Sequence, residues 1–137
     1  YRGAAAKEIA KDKIYYIKRG EILQTDDVKI LCFGGADDPT DDLFSDNVPN
    51  EKDFENCLAN LEKVGGSVDY IITHSPSGRT VRFLDLNSNA TGATLDFLDI
   101  LQSKVRYKKW YFGCGHKDKY ISPKMQAVYE EVYKLGE

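Results

Sequence analysis

The pattern of apolar and polar positions divides the chain into short units of two kinds. Ile14 to Lys18, Glu21 to Thr25 and Val28 to Phe33 are rich in β-branched, aromatic and other apolar residues. The Arg19-Gly20 and Asp26-Asp27 pairs between them have turn chemistry, so the pattern predicts three strands of an antiparallel meander. The last run, VKILCF, is almost wholly apolar, as expected of a strand covered on both faces. Asn50 opens a helix with Asp53 in a capping-box position, and Phe54, Cys57, Leu58, Leu61 and Val64 recur at three- and four-residue steps until Gly65-Gly66 stops the run. Cys57 on that stripe reads as a small buried hydrophobe. Val68 to Thr73 is a second apolar strand, Arg79 to Leu86 a short helix and Asn87 to Thr91 a polar loop. Thr94 to Ser103 is an amphipathic helix with Leu95, Leu98 and Leu101 inward, and Val105 to Phe112 is a further strand.

The two ends of the chain are less regular. Ala4 to Asp12, rich in Ala and Lys, reads as a short helix, loosely attached within residues 1–13. Near the other end Met125, Val128, Tyr129, Val132 and Tyr133 form a helical stripe, while the alternation Tyr129-Glu130-Glu131-Val132 also permits a strand.

Strand, helix, strand, helix, strand from Val28 to Phe112 describes two consecutive crossovers, which make the strands parallel and their connections right-handed. Their carboxyl ends then share one rim, and ligands of open α/β sheets bind outside those ends. That rim carries Gly34-Gly35, His74 and Cys114-Gly115-His116, so both histidines of the chain are expected there, close enough for one small site. Cys114 and His116, two residues apart, can offer a thiolate and an imidazole to one metal ion; the same pair also fits an ordinary surface loop. Five carboxylates, Asp37, Asp38, Asp41, Asp42 and Asp46, follow the glycine pair. They could hold a hard cation, but they lack the spacing and trailing Glu of an EF-hand, and a solvated or mobile loop is the favoured reading.

At 137 residues the chain fits one domain with a real core. A net charge of −3 argues against a general nucleic-acid surface, which needs a basic stripe. The apolar runs fall well short of the roughly 20 residues of a membrane helix. Three cysteines, Cys32, Cys57 and Cys114, lack the spacing of a disulfide framework and point to a reducing, cytoplasmic setting. A first residue of Tyr1 rather than Met implies processing, trimming or an incomplete sequence upstream.

In order, RGEILQTDDVKILCFGGA, VDYIITHSP, KKWYFGCGHKDK and KMQAVYEEVYKL resemble the carboxyl-terminal half of a calcineurin-like metallophosphoesterase, across the span from Tyr15 to Leu135. The resemblance implies an α/β fold that is half of a metallophosphoesterase-like β-sandwich flanked by helices, forming one domain over residues 1–137. It implies a two-metal site on loops at strand ends, with manganese, zinc or iron as the metal. His74 would ligate the second metal. Gly113-Cys114-Gly115-His116 matches a late G-H-x-H motif in which His116 would ligate the first metal and Cys114 replaces the leading histidine. Gly34 and Gly35 would line the site. The Asp-x-His, Gly-Asp and Gly-Asn-His motifs that supply most of the ligands and the catalytic histidine have no counterpart in this sequence, and Pro76 follows His74 by two residues where the family has three.

These features set the functional expectation: a metallophosphoesterase-like domain with a degenerate or incomplete two-metal site, inactive alone and acting through a protein partner or self-association. The alternative is one part of an active metal-dependent phosphoester hydrolase whose amino-terminal metal-binding half is missing from this chain. Following the resemblance, Gln126 to Leu135 is predicted to be a strand.

Overall fold

A computed structural model describes residues 6–37, 47–84 and 91–137. The fold is mixed α/β. Strands β1 (Ala6–Ala10) and β2 (Ile14–Ile17) form a separate hairpin. The main sheet contains β3 (Glu21–Gln24), β4 (Lys29–Phe33), β5 (Tyr70–Thr73), β6 (Lys109–Phe112), β7 (Lys119–Ser122) and β8 (Met125–Ala127), in the order β3-β4-β5-β6-β8-β7. Its four central strands β4, β5, β6 and β8 run parallel, and an antiparallel strand closes each edge. The helices are α1 (Glu51–Lys63), α2 (Gly78–Phe83) and α3 (Ala93–Lys104). No helix among the described residues is long and apolar enough to cross a membrane.

Residue alternation sorts the side chains of the sheet onto two faces. Leu31 and Phe33, Ile71, Trp110 and Met125 pack with Cys57 and Leu61 of α1 and with Phe97, Leu98 and Leu101 of α3. Phe33, Phe54 and Phe97 form an aromatic cluster with ring centroids 4.5–6.0 Å apart. Burial pushes the Cys57 thiol up to about 12, with Glu21 adding to the rise, so this cysteine is core filling rather than a nucleophile. Helix α1 begins with the predicted capping box: Asn50 Oδ1 accepts from Asp53 N at 3.2 Å and Asp53 Oδ2 accepts from Asn50 N at 3.0 Å.

Helix α3 is capped from a distance. Gly92 at its N-cap has no side chain to offer, and Asp37 accepts instead from Thr94 N (2.8 Å), Thr94 Oγ1 (2.5 Å) and Leu95 N (3.3 Å). A carboxylate there also complements the helix dipole. Asp37 is therefore a structural cap; Asp38, Asp41, Asp42 and Asp46 lie outside the described residues, as does most of the predicted Asn87 to Thr91 loop.

Three expectations need correction. Residues Ala6–Ala10 are a strand, not part of a helix: so short a run with Ile9 as its main apolar residue cannot sustain a helix alone, whereas pairing with β2 satisfies its backbone. Because β2 is paired with β1, the predicted three-stranded meander reduces to the β3-β4 hairpin. At the other end the strand stops at Ala127 instead of reaching Leu135. There the Asp118 carboxylate accepts from three successive amides, Tyr129 N (2.8 Å), Glu130 N (2.8 Å) and Glu131 N (3.2 Å), which are thereby withdrawn from any ladder. Strand β7, in a segment for which the sequence pattern predicts no element, forms by antiparallel pairing with β8.

Candidate functional site at the carboxyl rim

Phe33, Thr73, Phe112 and Ala127 are cross-strand partners in one row of the parallel sheet. The residues that follow them, Gly34, His74, Gly113 and Val128, therefore leave the sheet at a common level. The row is stitched by backbone: the His74 carbonyl accepts from Gly113 N (3.0 Å) and Cys114 N (2.8 Å), and Val128 N donates to Phe112 O (2.9 Å). Two crossover units distant in sequence thus bring His74 and the Cys114-Gly115-His116 turn side by side.

The His74 loop is held from beneath. Trp110 Nε1, fully buried, donates to Thr73 Oγ1 at 2.8 Å, and the Thr73 hydroxyl donates onward to Ser75 O at 2.5 Å. Ser77 caps α2 by accepting from Thr80 N at 3.2 Å, and its hydroxyl also bonds Gln102 of α3. Ser75, Pro76, Ser77 and Gly78 are all buried while His74 is exposed. An imidazole projecting from a locked loop is how a fold presents a functional group, because the supporting contacts rather than the histidine set its position.

The second turn is strained. His116 has φ +48°, a region uncommon for residues other than glycine, and it follows Gly115 at φ +97°. The His116 ring stacks on Tyr129 with centroids 5.1 Å apart at 16°. Tyr129 is itself tied to Asp118. Burial opposes charge on Asp118, but the three amides and the Tyr133 hydroxyl together hold its carboxyl below the usual range.

Cys114 is half-buried and lines a small cavity of about 30 Å³ with Phe112, Lys117, Lys119 and Ile121, space for little more than a water molecule. It is the one cysteine at the rim. Cys32, on the far face of the sheet, has its thiol pushed up to about 11 by burial.

The two glycines are placed differently. Gly34 is exposed, with nothing within 4 Å of where a Cβ would stand, and its carbonyl accepts from Arg19 Nε at 2.6 Å. Gly35 has φ +98°, and a Cβ there would lie 2.2 Å from Asn47 O. Only glycine lets the two backbones pass. Arg19 joins these parts by donating to Asn47 O (3.2 Å) and pairing with Asp53 of the α1 cap (2.8 Å). Sequence reading took Arg19 for a turn residue; its partners Gly34, Asn47 and Asp53 are distant in sequence, so no local signal marked them.

Imidazole and thiolate donors suit zinc. Yet among the described residues no three His, Cys, Asp or Glu side chains gather into a group that could hold a metal ion. The contact that joins the two loops is made by the His74 backbone, not its ring. As arranged, the donors do not form a closed cage. Comparison with family models, with curated proteins and with solved structures finds no match to this chain.

Proposed function

We propose that the chain is a metallophosphoesterase-like half-domain with an incomplete two-metal site, catalytically silent alone and acting through protein association. The observation that carries the reading is the shared rim: His74 and Cys114-Gly115-His116 emerge at one level from adjacent parallel strands, joined through the His74 carbonyl. These are the positions that the resemblance assigns to the late metal ligands. A two-metal hydrolase needs a bridging carboxylate and several ligands per ion, and this rim offers two imidazoles and one thiol. A divalent ion such as zinc, manganese or iron is the proposed occupant of a completed site. Three free cysteines, one fully buried, fit a reducing cytoplasmic setting.

The second reading, a hydrolase completed by another segment, is favoured by one feature: His74 stands exposed on a loop whose other residues are buried. The two readings separate in a turnover assay. The purified chain, given saturating manganese and a chromogenic phosphodiester, should hydrolyse no faster than its His116→Ala variant, and both should match the uncatalysed background. A rate above background that vanishes in the variant would overturn the silent reading and restore catalysis to this rim.

A further inference from the structure

Charge is sorted by position along the amino rim of the sheet, the end opposite the histidines. The β3-β4 turn carries Asp26 and Asp27, Asp69 leads into β5, Arg106 and Lys108 lead into β6, and Lys124 lies in the β7-β8 turn. With strands ordered β3-β4-β5-β6-β8-β7, one half of this rim is acidic and the other basic. Asp26, Asp27, Arg106 and Lys124 are exposed, and among the described residues none of them makes an ion pair. Between the acidic turn and Asp69 opens a polar cleft of about 270 Å³, lined by three carboxylates and one cation, Lys29. On the basic half, the Lys124 amine rests 5.5 Å from the centroid of the Tyr107 ring, which holds it at the rim.

The two halves are complementary to each other about one point. Neighbouring strands stand about 4.8 Å apart, so the Asp26-Asp27 turn and the Lys124 turn each lie about 10 Å from a midpoint between β5 and β6, on opposite sides. Asp69 and Lys108, paired at 2.6 Å, flank that midpoint. A two-fold axis normal to the sheet at this point brings two copies rim to rim with every acidic position opposite a basic one. The cleft then faces the stretch between Arg106 and Lys124 of the other copy, and each charge pairing forms twice, as an isologous contact requires. A two-fold axis along the rim would instead set acid against acid and base against base, so charge selects the first arrangement.

We propose that the amino rim is a self-association surface where a second copy of this chain docks rim to rim, Arg106 and Lys124 of each copy meeting the Asp26-Asp27-Asp69 cleft of the other. The rim is about 24 Å long by strand spacing, which places the contact at the small end of specific interfaces. Charge rather than apolar burial holds it, so the dimer is weak and sensitive to salt. This surface gives the association proposed above a location and rests on that reading. It lies at the opposite end of the sheet from His74 and His116, so its failure is distinguishable from failure of the turnover assay at the carboxyl rim.

The test is sedimentation of the whole chain over a concentration series at about 0.01 M and about 1 M salt, between which the screening length falls from about 30 Å to about 3 Å. The unaltered chain should dimerise at low salt and associate at least about tenfold more weakly at high salt. Asp26→Lys/Asp27→Lys and Arg106→Glu/Lys124→Glu should each lose the low-salt dimer, and the chain carrying all four substitutions should regain it. Because Arg106 also donates to Gly65 O at 3.1 Å, Lys124→Glu alone serves as a second basic-half variant, and folding is checked by circular dichroism. A monomer at low salt, a dimer indifferent to either reversal, or a folded fourfold variant that stays monomeric would overturn the proposal. A low-salt monomer that is shifted by added polyglutamate would assign the basic half to an acidic partner and overturn it as well.

Discussion

The two rims of the parallel sheet are built in opposite ways. At the amino rim one residue laces three strands: the Asp69 carboxylate accepts from Lys29 N at 2.8 Å and pairs with Lys108 Nζ at 2.6 Å, while its backbone bonds Lys29 O and the amides of Lys108 and Lys109. A parallel bridge between Ser67 and Arg106 extends the lacing. At the carboxyl rim the His74 carbonyl ties β5 to the turn after β6, Val128 N bonds Phe112 O, and both histidines are exposed. Strand polarity separates the tasks: the end where chains enter is tied down, and the end where they leave carries the groups able to do chemistry.

The largest effect should come from Trp110, which serves both the core and the rim. Trp110→Ala should destabilise by about 3–5 kcal/mol, the usual cost of emptying a buried aromatic site, measured by urea unfolding followed by circular dichroism. A loss below about 1 kcal/mol would mean that the core does not depend on it.

Thr73→Val keeps the shape but breaks the relay from Trp110 to Ser75. A buried indole N–H left without its acceptor costs about 1–3 kcal/mol. Hydrogen exchange should rise in the His74 to Ser77 loop while the Asp69 corner stays protected. Equal loosening of both rims would contradict the separation.

A smaller effect is expected at the amino rim. The hydrogen bond from Lys108, then that from Lys29 N, holds the Asp69 carboxyl below its usual range. Since the folded value is depressed, the stability it contributes is fully present above the unfolded carboxylate value of about 3.9 and is lost as pH falls through the folded value. Thermal unfolding between about pH 4 and pH 2 should therefore depend less on pH in Asp69→Asn than in the unaltered protein. Identical pH profiles would remove Asp69 from the account. The smallest effect should be at the exposed imidazole: His74→Ala should change stability by less than about 0.5 kcal/mol. A larger loss would make His74 a structural residue.

Features carried by local signals were legible in the sequence. Asn50 and Asp53 announced the start of α1, the Cys57 and Leu61 stripe gave its buried face, and two crossovers implied the parallel order of β4, β5 and β6. What sequence missed depends on distant partners. Asp37 caps a helix beginning more than fifty residues later, and Thr73 meets Trp110 across a full crossover, which no local periodicity encodes. The β1-β2 hairpin was hidden because Ala-rich and Lys-rich segments have helical propensity until a strand partner is available. The strand expected beyond Ala127 failed through Asp118, a single carboxylate eleven to thirteen residues upstream of the amides it binds. At the site, the rim placement of His74, Cys114 and His116 followed from strand polarity, whereas the orientation of the His116 ring depends on its stack with Tyr129.

Zinc titration monitored by the imidazole resonances of the labelled protein tests the shared rim most directly. The account predicts at most one weakly bound ion per chain, with the His74 and His116 signals responding together and both responses lost in Cys114→Ser/His116→Ala. Two tightly held ions, or a His74 signal that follows zinc unchanged in that double variant, would contradict it.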